Sequence, residues 1–284
     1  MCARIRSHLL VCSLLLASSA AGQLAKVKPD VGFVPTPQPV VEAMLQMAKV
    51  TANDTVYDLG CGDGRLVILA AKHYGARGVG IDIDPERIAE AKQKAAATRL
   101  DDKVQFREGD IFASDFADAT VITLYLLNEL NVRLRPQIFA QVKPGTRVVS
   151  HNFRMGEWEP DAQRAVKFHA SSYDVFLWVV PANISGRWKL AGARRMKAFP
   201  ETVLIEQSFQ MITWRDAENG TVLGQGRVQG NAFNLVTSTS PDAKPVSFNG
   251  TVAGNTMRVS AGPAGATWTA ERESGSEKRL DPAG

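Results

Sequence analysis

Cysteine and histidine are scarce in this 284-residue chain, three of one and four of the other, and neither is arranged for metal or redox chemistry. Cys2 and Cys12 lie near the start, leaving Cys61 alone in the rest of the chain, so no intrachain disulfide is expected there. His8, His73, His151 and His169 share no ligand spacing with cysteine or acid, and no metal site is expected. A G-x-S-x-G elbow for an activated serine is missing, and so is a G-x-x-x-x-G-K loop for nucleotide phosphates. Past the N-terminus no apolar run approaches the ~20 residues that a membrane-spanning helix needs. Charge of one sign is also in short supply. Thirty-three Lys and Arg against 29 Asp and Glu leave a net charge of +4, which makes no electrostatic case for a nucleic-acid partner. The basic cluster Arg187, Lys189, Arg194, Arg195 and Lys197 is read as a solvated face.

The chain does hold an ordinary globular share of apolar residues, 45%, in a length that suits one full α/β domain and a smaller one. At the start, Arg4 and Arg6, an apolar run from Leu9 to Ala17 and the small residues Ser19, Ala20 and Ala21 read as a signal peptide or targeting segment over residues 1–22. That predicts a periplasmic or secreted protein. The Pro-rich stretch Phe33-Val34-Pro35-Thr36-Pro37 cannot be regular structure. After it, strands and helices alternate: Thr55 to Asp58, a helix to Tyr74, Gly78 to Asp82, a helix from Pro85 to Thr98, Val104 to Arg107, Ala119 to Tyr125, a helix from Val132 to Gln141, and Arg147 to Ser150. Such alternation implies a mainly parallel sheet with helices on both faces, over residues 33–182. Ligands then belong beyond the carboxyl ends of the strands, where Asp58, Asp82, Asp110, Tyr125 and His151 fall.

From about residue 183 to 273 the texture changes to short alternating runs separated by Gly, Asn, Pro and Ser, which predicts a small all-β barrel or sandwich. Gly226 to Leu235 repeats at identical spacing as Gly250 to Val259, each copy carrying a Gly-Asn hairpin signal at its centre, Gly230-Asn231 and Gly254-Asn255. The tail over 274–284 is expected to be disordered.

The densest chemical signal is Val56-Tyr57-Asp58-Leu59-Gly60-Cys61-Gly62-Asp63-Gly64-Arg65. It reads as a buried strand, a glycine turn and a helix start, the arrangement that brings a cofactor against bare backbone. A dinucleotide fingerprint would be G-x-G-x-x-G, but here glycines recur at every second position and Asp58 precedes them. A carboxylate there repels a pyrophosphate and suits an ammonium or sulfonium. Asp82, 24 residues further on, ends the second strand where it can hydrogen-bond a ribose diol, and Glu108-Gly109-Asp110-Ile111 ends the third.

These motifs resemble the class I, seven-strand S-adenosylmethionine-dependent methyltransferases. The resemblance implies a Rossmann-like seven-strand sheet, S-adenosyl-L-methionine as cofactor, and a binding set of Asp58, Gly60, Cys61, Gly62, Gly64, Asp82, Ile83, Asp110 and Ile111. Val34-Pro35-Thr36-Pro37, Leu124-Tyr125-Leu126-Leu127 and Leu134-Arg135-Pro136 are further similar to the small mitochondrial and bacterial protein-lysine methyltransferases. That likeness covers residues 33 to 180 and implies a protein lysine as acceptor. The chain departs from it at Tyr125-Leu126-Leu127-Asn128, where those enzymes often carry a polar or proline-containing motif.

Tyr125 and His151 are the candidate catalytic residues: the first offers a hydroxyl or π-face to an amine, the second a proton relay or a structural hydrogen bond. Phe33 and Pro35 are candidates for a lid. Two other readings stay open, a small-molecule acceptor held by the β domain and an exported binding protein without activity. A leader also sits awkwardly with a cofactor made in the cytosol. Asp82→Ala and Gly62→Arg should each abolish cofactor binding in a calorimetric titration; unchanged affinity in both would remove the proposed site.

Overall fold

Strand β1 (Thr55–Leu59) is buried along its whole length, which places it in the middle of a sheet covered on both faces. The computed structural model describes residues 30–191, 199–237, 245–261 and 267–281. The leader expected over 1–22 lies outside the described residues. Helix α1 (Gln38–Met47) precedes β1, and α2 (Arg65–Tyr74), β2 (Arg77–Asp82), α3 (Pro85–Ala97), β3 (Val104–Glu108), β4 (Val121–Leu124), α4 (Asn128–Gln141) and β5 (Arg147–His151) follow it. An antiparallel pair, β6 (Ala162–Phe168) and β7 (Ser171–Val179), completes the sheet in the order β3-β2-β1-β4-β5-β7-β6. Strands β1 to β5 are parallel and β7 runs against β5.

Local chemistry sets the element ends. Pro85 opens α3 and the Asp84 carboxylate accepts from the Glu86 amide at 2.8 Å, satisfying one of the amides left free at a helix start. Gly75 closes α2 in the left-handed region. Helix α4 starts one turn before the expected Val132, because Asn131 does not act as a cap. Fully buried, it donates to Ser150 Oγ and to the carbonyls of Phe153 and Arg154, tying the helix to the segment after β5.

The two faces of the sheet are covered differently. Helices α1, α2 and α3 bury one face around Val40, Met44, Val67 and Ile88. On the other, α4 supplies Leu134 and Ile138, joined by Phe116 from the segment before β4, Met155 and Trp158 from the segment before β6, and Phe209 from the C-terminal domain.

That domain is the expected all-β unit, an eight-strand closed antiparallel barrel: β8 (Gly186–Ala191), β9 (Thr202–Ser208), β10 (Met211–Asp216), β11 (Val222–Gln229), β12 (Ala232–Thr237), β13 (Val246–Ala253), β14 (Thr256–Ala261) and β15 (Thr267–Arg272). The sequence repeat is two consecutive hairpins. Gly230-Asn231 joins β11 to β12 and Gly254-Asn255 joins β13 to β14, with the glycines at φ 57° and 58°. Trp188, Trp214 and Phe248 fill the interior.

Strand β7 decides where the barrel sits. Its last residue, Val179, pairs with Arg147 at the start of β5, so the chain leaves the sheet at the edge opposite the strand carboxyl ends. The barrel packs there against α4. The Phe209 ring lies 6.1 Å from Phe139 and 6.2 Å from Trp158, Gln210 donates to the Glu159 carbonyl at 2.6 Å, and Arg227 pairs with Asp161 at 2.6 Å.

The tail corrects the expectation of disorder over 274–284 for its described part; residues 282–284 lie outside the described residues. Lys278 donates to Ser185 Oγ, Leu280 accepts from the Phe209 amide, and Arg135 grips the Asp281 carboxylate with two hydrogen bonds of 2.6 and 2.9 Å. Both members of that ion pair are at most 5% exposed. A polar tail gives no local sign of this, because the partner is 146 residues away. No helix among the described residues is long and apolar enough to cross a membrane. Asp281→Ala would strand a buried guanidinium, and a loss of about 3–5 kcal/mol is expected in a denaturant titration.

Candidate functional site

Between β1 and α2 the backbone makes a tight turn in which Gly60, Gly62 and Gly64 all have positive φ, 82°, 51° and 74°. The amides of Gly60 and Cys61 donate to the Ile81 carbonyl, locking the turn to β2. Asp82, at the end of β2, accepts from the Gly62 amide at 2.7 Å with one oxygen and from the Asp84 amide at 3.0 Å with the other. Each oxygen keeps a lone pair for a ligand hydroxyl. Gly64 serves packing: a Cβ there would come within 2.5 Å of the Phe106 ring and 2.8 Å of Ala91. A Cβ on Gly62 would meet the Phe33 ring at 2.1 Å, so the proline-rich strap lies directly on the turn.

Above the turn is a cavity of about 1050 Å³, part of it open to solvent, walled by the ends of β1, β2, β3 and β4 and roofed by the strap. Asp58, Gly60, Cys61, Asp82, Ile83, Asp110, Ile111 and Tyr125, eight of the predicted site residues, line it. Gly62, Gly64 and His151 stand behind the lining. Asp110 also caps the turn Ile111–Ala113 by accepting from the Phe112 amide at 2.9 Å. Strap residues Phe33 and Thr36 belong to the wall, Pro35 does not, and Arg87 of α3 reaches over the Phe33 ring at 5.3 Å. Arg87 and Phe112 were not legible beforehand, since nothing in an exposed helix position or a lone aromatic marks a cavity wall.

Electrostatics separate the acids. Asp58 is buried, takes one hydrogen bond from Thr123 Oγ1 at 2.8 Å, and lies near Asp82 and Asp63. Desolvation pushes its carboxyl up to about 7 against the Thr123 hydrogen bond, with the neighbouring acids adding to the rise. Asp63 is as buried, but Arg65 and Lys94 both reach it at 2.6 Å. Burial raises its carboxyl, and those two cations outweigh burial and hold it at about 2. Burial pushes the Cys61 thiol far up, so it stays a neutral part of the wall.

At the rim, Tyr125 follows β4 and is half-buried; desolvation raises its phenol, which stays protonated at neutral pH. His151, the last residue of β5, is fully buried with its ring stacked on Tyr125 at 3.8 Å between centroids. Burial pushes the imidazole down to about 4, so it is neutral through the physiological range. Its Nδ1 shares a 3.2 Å hydrogen bond with Thr36 Oγ1, while Nε2 is buried with no partner among the described residues.

Comparison with known proteins settles the family. The ANTKMT methyltransferase domain matches residues 58–162. Over 153 residues the chain is 42% identical to a protein of Saccharolobus islandicus named a protein-lysine N-methyltransferase, covering 54% of this chain and 95% of that relative. The chain belongs to the ANTKMT methyltransferase family. A Salinibacter ruber crystal structure titled an RNA methyltransferase, solved with S-adenosyl-L-homocysteine, is 51% identical at a TM-score of 0.50, over 53% of this chain and 96% of that one. A Mus musculus lysine N-methyltransferase, named for a component of ATP synthase, is 27% identical over 45% of this chain, which spans about half of that relative's length. The family match stops at residue 162, ahead of the barrel.

The protein is thus an S-adenosylmethionine-dependent methyltransferase. Its residues fit that cofactor. Asp58 is a buried carboxyl with no cation partner among the described residues, a partner the methionine amino group would supply, and Asp82 keeps lone pairs for a ribose at the same wall. Protonation of Asp58 removes the attraction for a cationic ligand. The cofactor dissociation constant should therefore rise about tenfold per unit as pH drops below 7 and level off above about 8 in calorimetry. The folded carboxyl holds its proton above the unfolded value of 3.8, so in the cofactor-free fold Asp58 costs stability as pH rises from there through 7. Asp58→Asn should flatten the binding profile yet raise the thermal midpoint at pH 8.

Proposed function

We propose that this methyltransferase acts on a lysine amine presented by a protein. The observation that carries the reading is a partly open cavity with Tyr125 in its wall. Phe33, 44% exposed, lines the same cavity, Leu127 two residues after Tyr125 is 43% exposed, and the barrel is docked at the far edge of the sheet. The barrel, the candidate pocket for a small acceptor, lies too far away to form a chamber over this cavity. A side chain reaching in from a larger partner needs only the mouth. The names of the Saccharolobus and mouse relatives support the same acceptor.

When bound, the cofactor supplies a methyl group on a sulfonium, which a nitrogen lone pair displaces in line. The side chains of this chain do the holding. Asp58 balances the cationic amino end, Asp82 takes the ribose, and the walls at Ile83 and Ile111 exclude water from the adenine. Tyr125 meets the incoming amine. The half-buried surroundings of its ring desolvate the amine and favour its neutral form, and the phenol oxygen accepts a hydrogen bond from an amine N–H that aims the lone pair inward. The incoming ammonium gives one proton to solvent before it attacks, and the product leaves as a methylammonium. The leader predicted over residues 1–22 would carry the protein to the periplasm or beyond, and a fractionation blot of leader-bearing and leader-deleted forms decides that point.

Purified protein with methyl-labelled cofactor and a cell extract tests the acceptor. Label in protein, recovered as methyl-lysine after hydrolysis, is expected, and Tyr125→Phe should slow its appearance about tenfold. Label confined to RNA, the acceptor class named for the Salinibacter protein, or to small products would overturn the lysine reading.

A further inference from the structure

Thr36 touches two walls of the site at once. Its carbonyl accepts from Arg65 Nη1 at 3.0 Å, beside the glycine turn, and its hydroxyl meets His151 Nδ1 at 3.2 Å, beneath the acceptor-side ring. Two and three residues earlier the same strap exposes Val34 and lays Phe33 on Gly62. His151 is wedged between aromatic rings, stacked on Tyr125 at 3.8 Å and 26° and tilted against Tyr173 at 5.3 Å. Since Nε2 has no partner among the described residues, the Thr36 hydroxyl makes the only hydrogen bond that orients this imidazole there. The ring also lies outside the cavity lining, so it meets the reacting atoms through Tyr125.

We propose that His151 is a positioning residue that couples the strap to Tyr125, so that seating of the strap over the cofactor site and orientation of the acceptor-side ring change together. This rests on the reading that Tyr125 meets the acceptor. A buried hydrogen bond and a face-to-face ring contact are both short-range and directional, so tilting Thr36 away removes the constraint on the imidazole and, through the stack, on Tyr125. The strap's other anchor, Arg65, is held in turn by Asp63, which links the couple to the glycine turn as well.

Thr36→Val keeps shape and deletes the hydroxyl; His151→Phe keeps a ring under Tyr125 and deletes Nδ1. Affinity for S-adenosyl-L-homocysteine is read by calorimetry, which needs no acceptor, and the rate of label transfer into a cell extract is read at saturating labelled cofactor. Each variant is expected to weaken binding and slow transfer about tenfold, the double variant to be no worse than the poorer single, and Thr36→Ser to restore both. The rate profile of His151→Phe between pH 6 and 9 should keep the wild-type shape. Effects that multiply in the double variant, an unchanged saturated rate in Thr36→Val, or a lost limb in the pH profile would overturn the proposal. Should His151→Phe fail to fold, Thr36→Val with Tyr125→Phe replaces it, with the same lack of multiplication expected in the rate. Label appearing outside protein would fail the lysine reading and leave the calorimetric comparison standing.

Discussion

One hydrogen bond holds the site in shape, the 2.7 Å contact from the Gly62 amide to the Asp82 carboxylate. It joins the ends of two neighbouring parallel strands across the turn, and it leaves peptide rather than side chain facing the cavity. With the Gly60 and Cys61 amides on the Ile81 carbonyl, it keeps three positive-φ glycines in one conformation, and glycine is the residue with the most freedom to lose. Given that brace, the carboxylate of Asp58 is shut in beside it with no cation partner among the described residues, and its charge is relieved by a proton or by a bound cation. The binding of a cationic cofactor follows from this crowding of acids more than from any single contact.

A second constraint acts on the far side of the sheet. Helix α4 does not cover its face alone, and Phe116, Met155, Trp158 and the barrel's Phe209 join it there. The Arg135 guanidinium lies over the same Phe209 ring at 4.8 Å and clamps the tail through Asp281. The barrel is therefore part of the methyltransferase core's packing, and the helix it supports begins at Asn128, three residues from Tyr125. Stability and the cavity wall are joined through one helix, whose Leu130 lines the cavity.

The balance of charge around the turn shows how burial and pairing compete. Asp58 and Asp63 are five residues apart and both nearly inaccessible, yet one carboxyl is driven up and the other down. Arg65 and Lys94 make the difference, because a buried acid with two cations in contact is stabilised as the anion while one with a threonine hydroxyl is not. The same Arg65 then fastens the strap, so charge pairing and cavity closure use one side chain.

Much of this was written in local sequence. The alternation of strand and helix, the glycine spacing after Asp58, the acid ending β2 and the paired Gly-Asn hairpins are short-range patterns, set by backbone geometry and by which residues tolerate a turn, and they appear in the fold as read. Long-range partners were not legible. Nothing near Asp281 announces Arg135, nothing near His151 says that its Nδ1 meets Thr36 while its ring lies behind Tyr125, and no local cue separates the fates of Asp58 and Asp63. Those depend on which side chains the closed chain brings within a few ångströms, and on how much water it leaves there. Sequence alone carried the glycine turn with its flanking acids and the succession of α/β sheet and barrel; tertiary structure decided the ionisation of the acids, the docking of the barrel at the far end of the sheet, and the latch made by the tail.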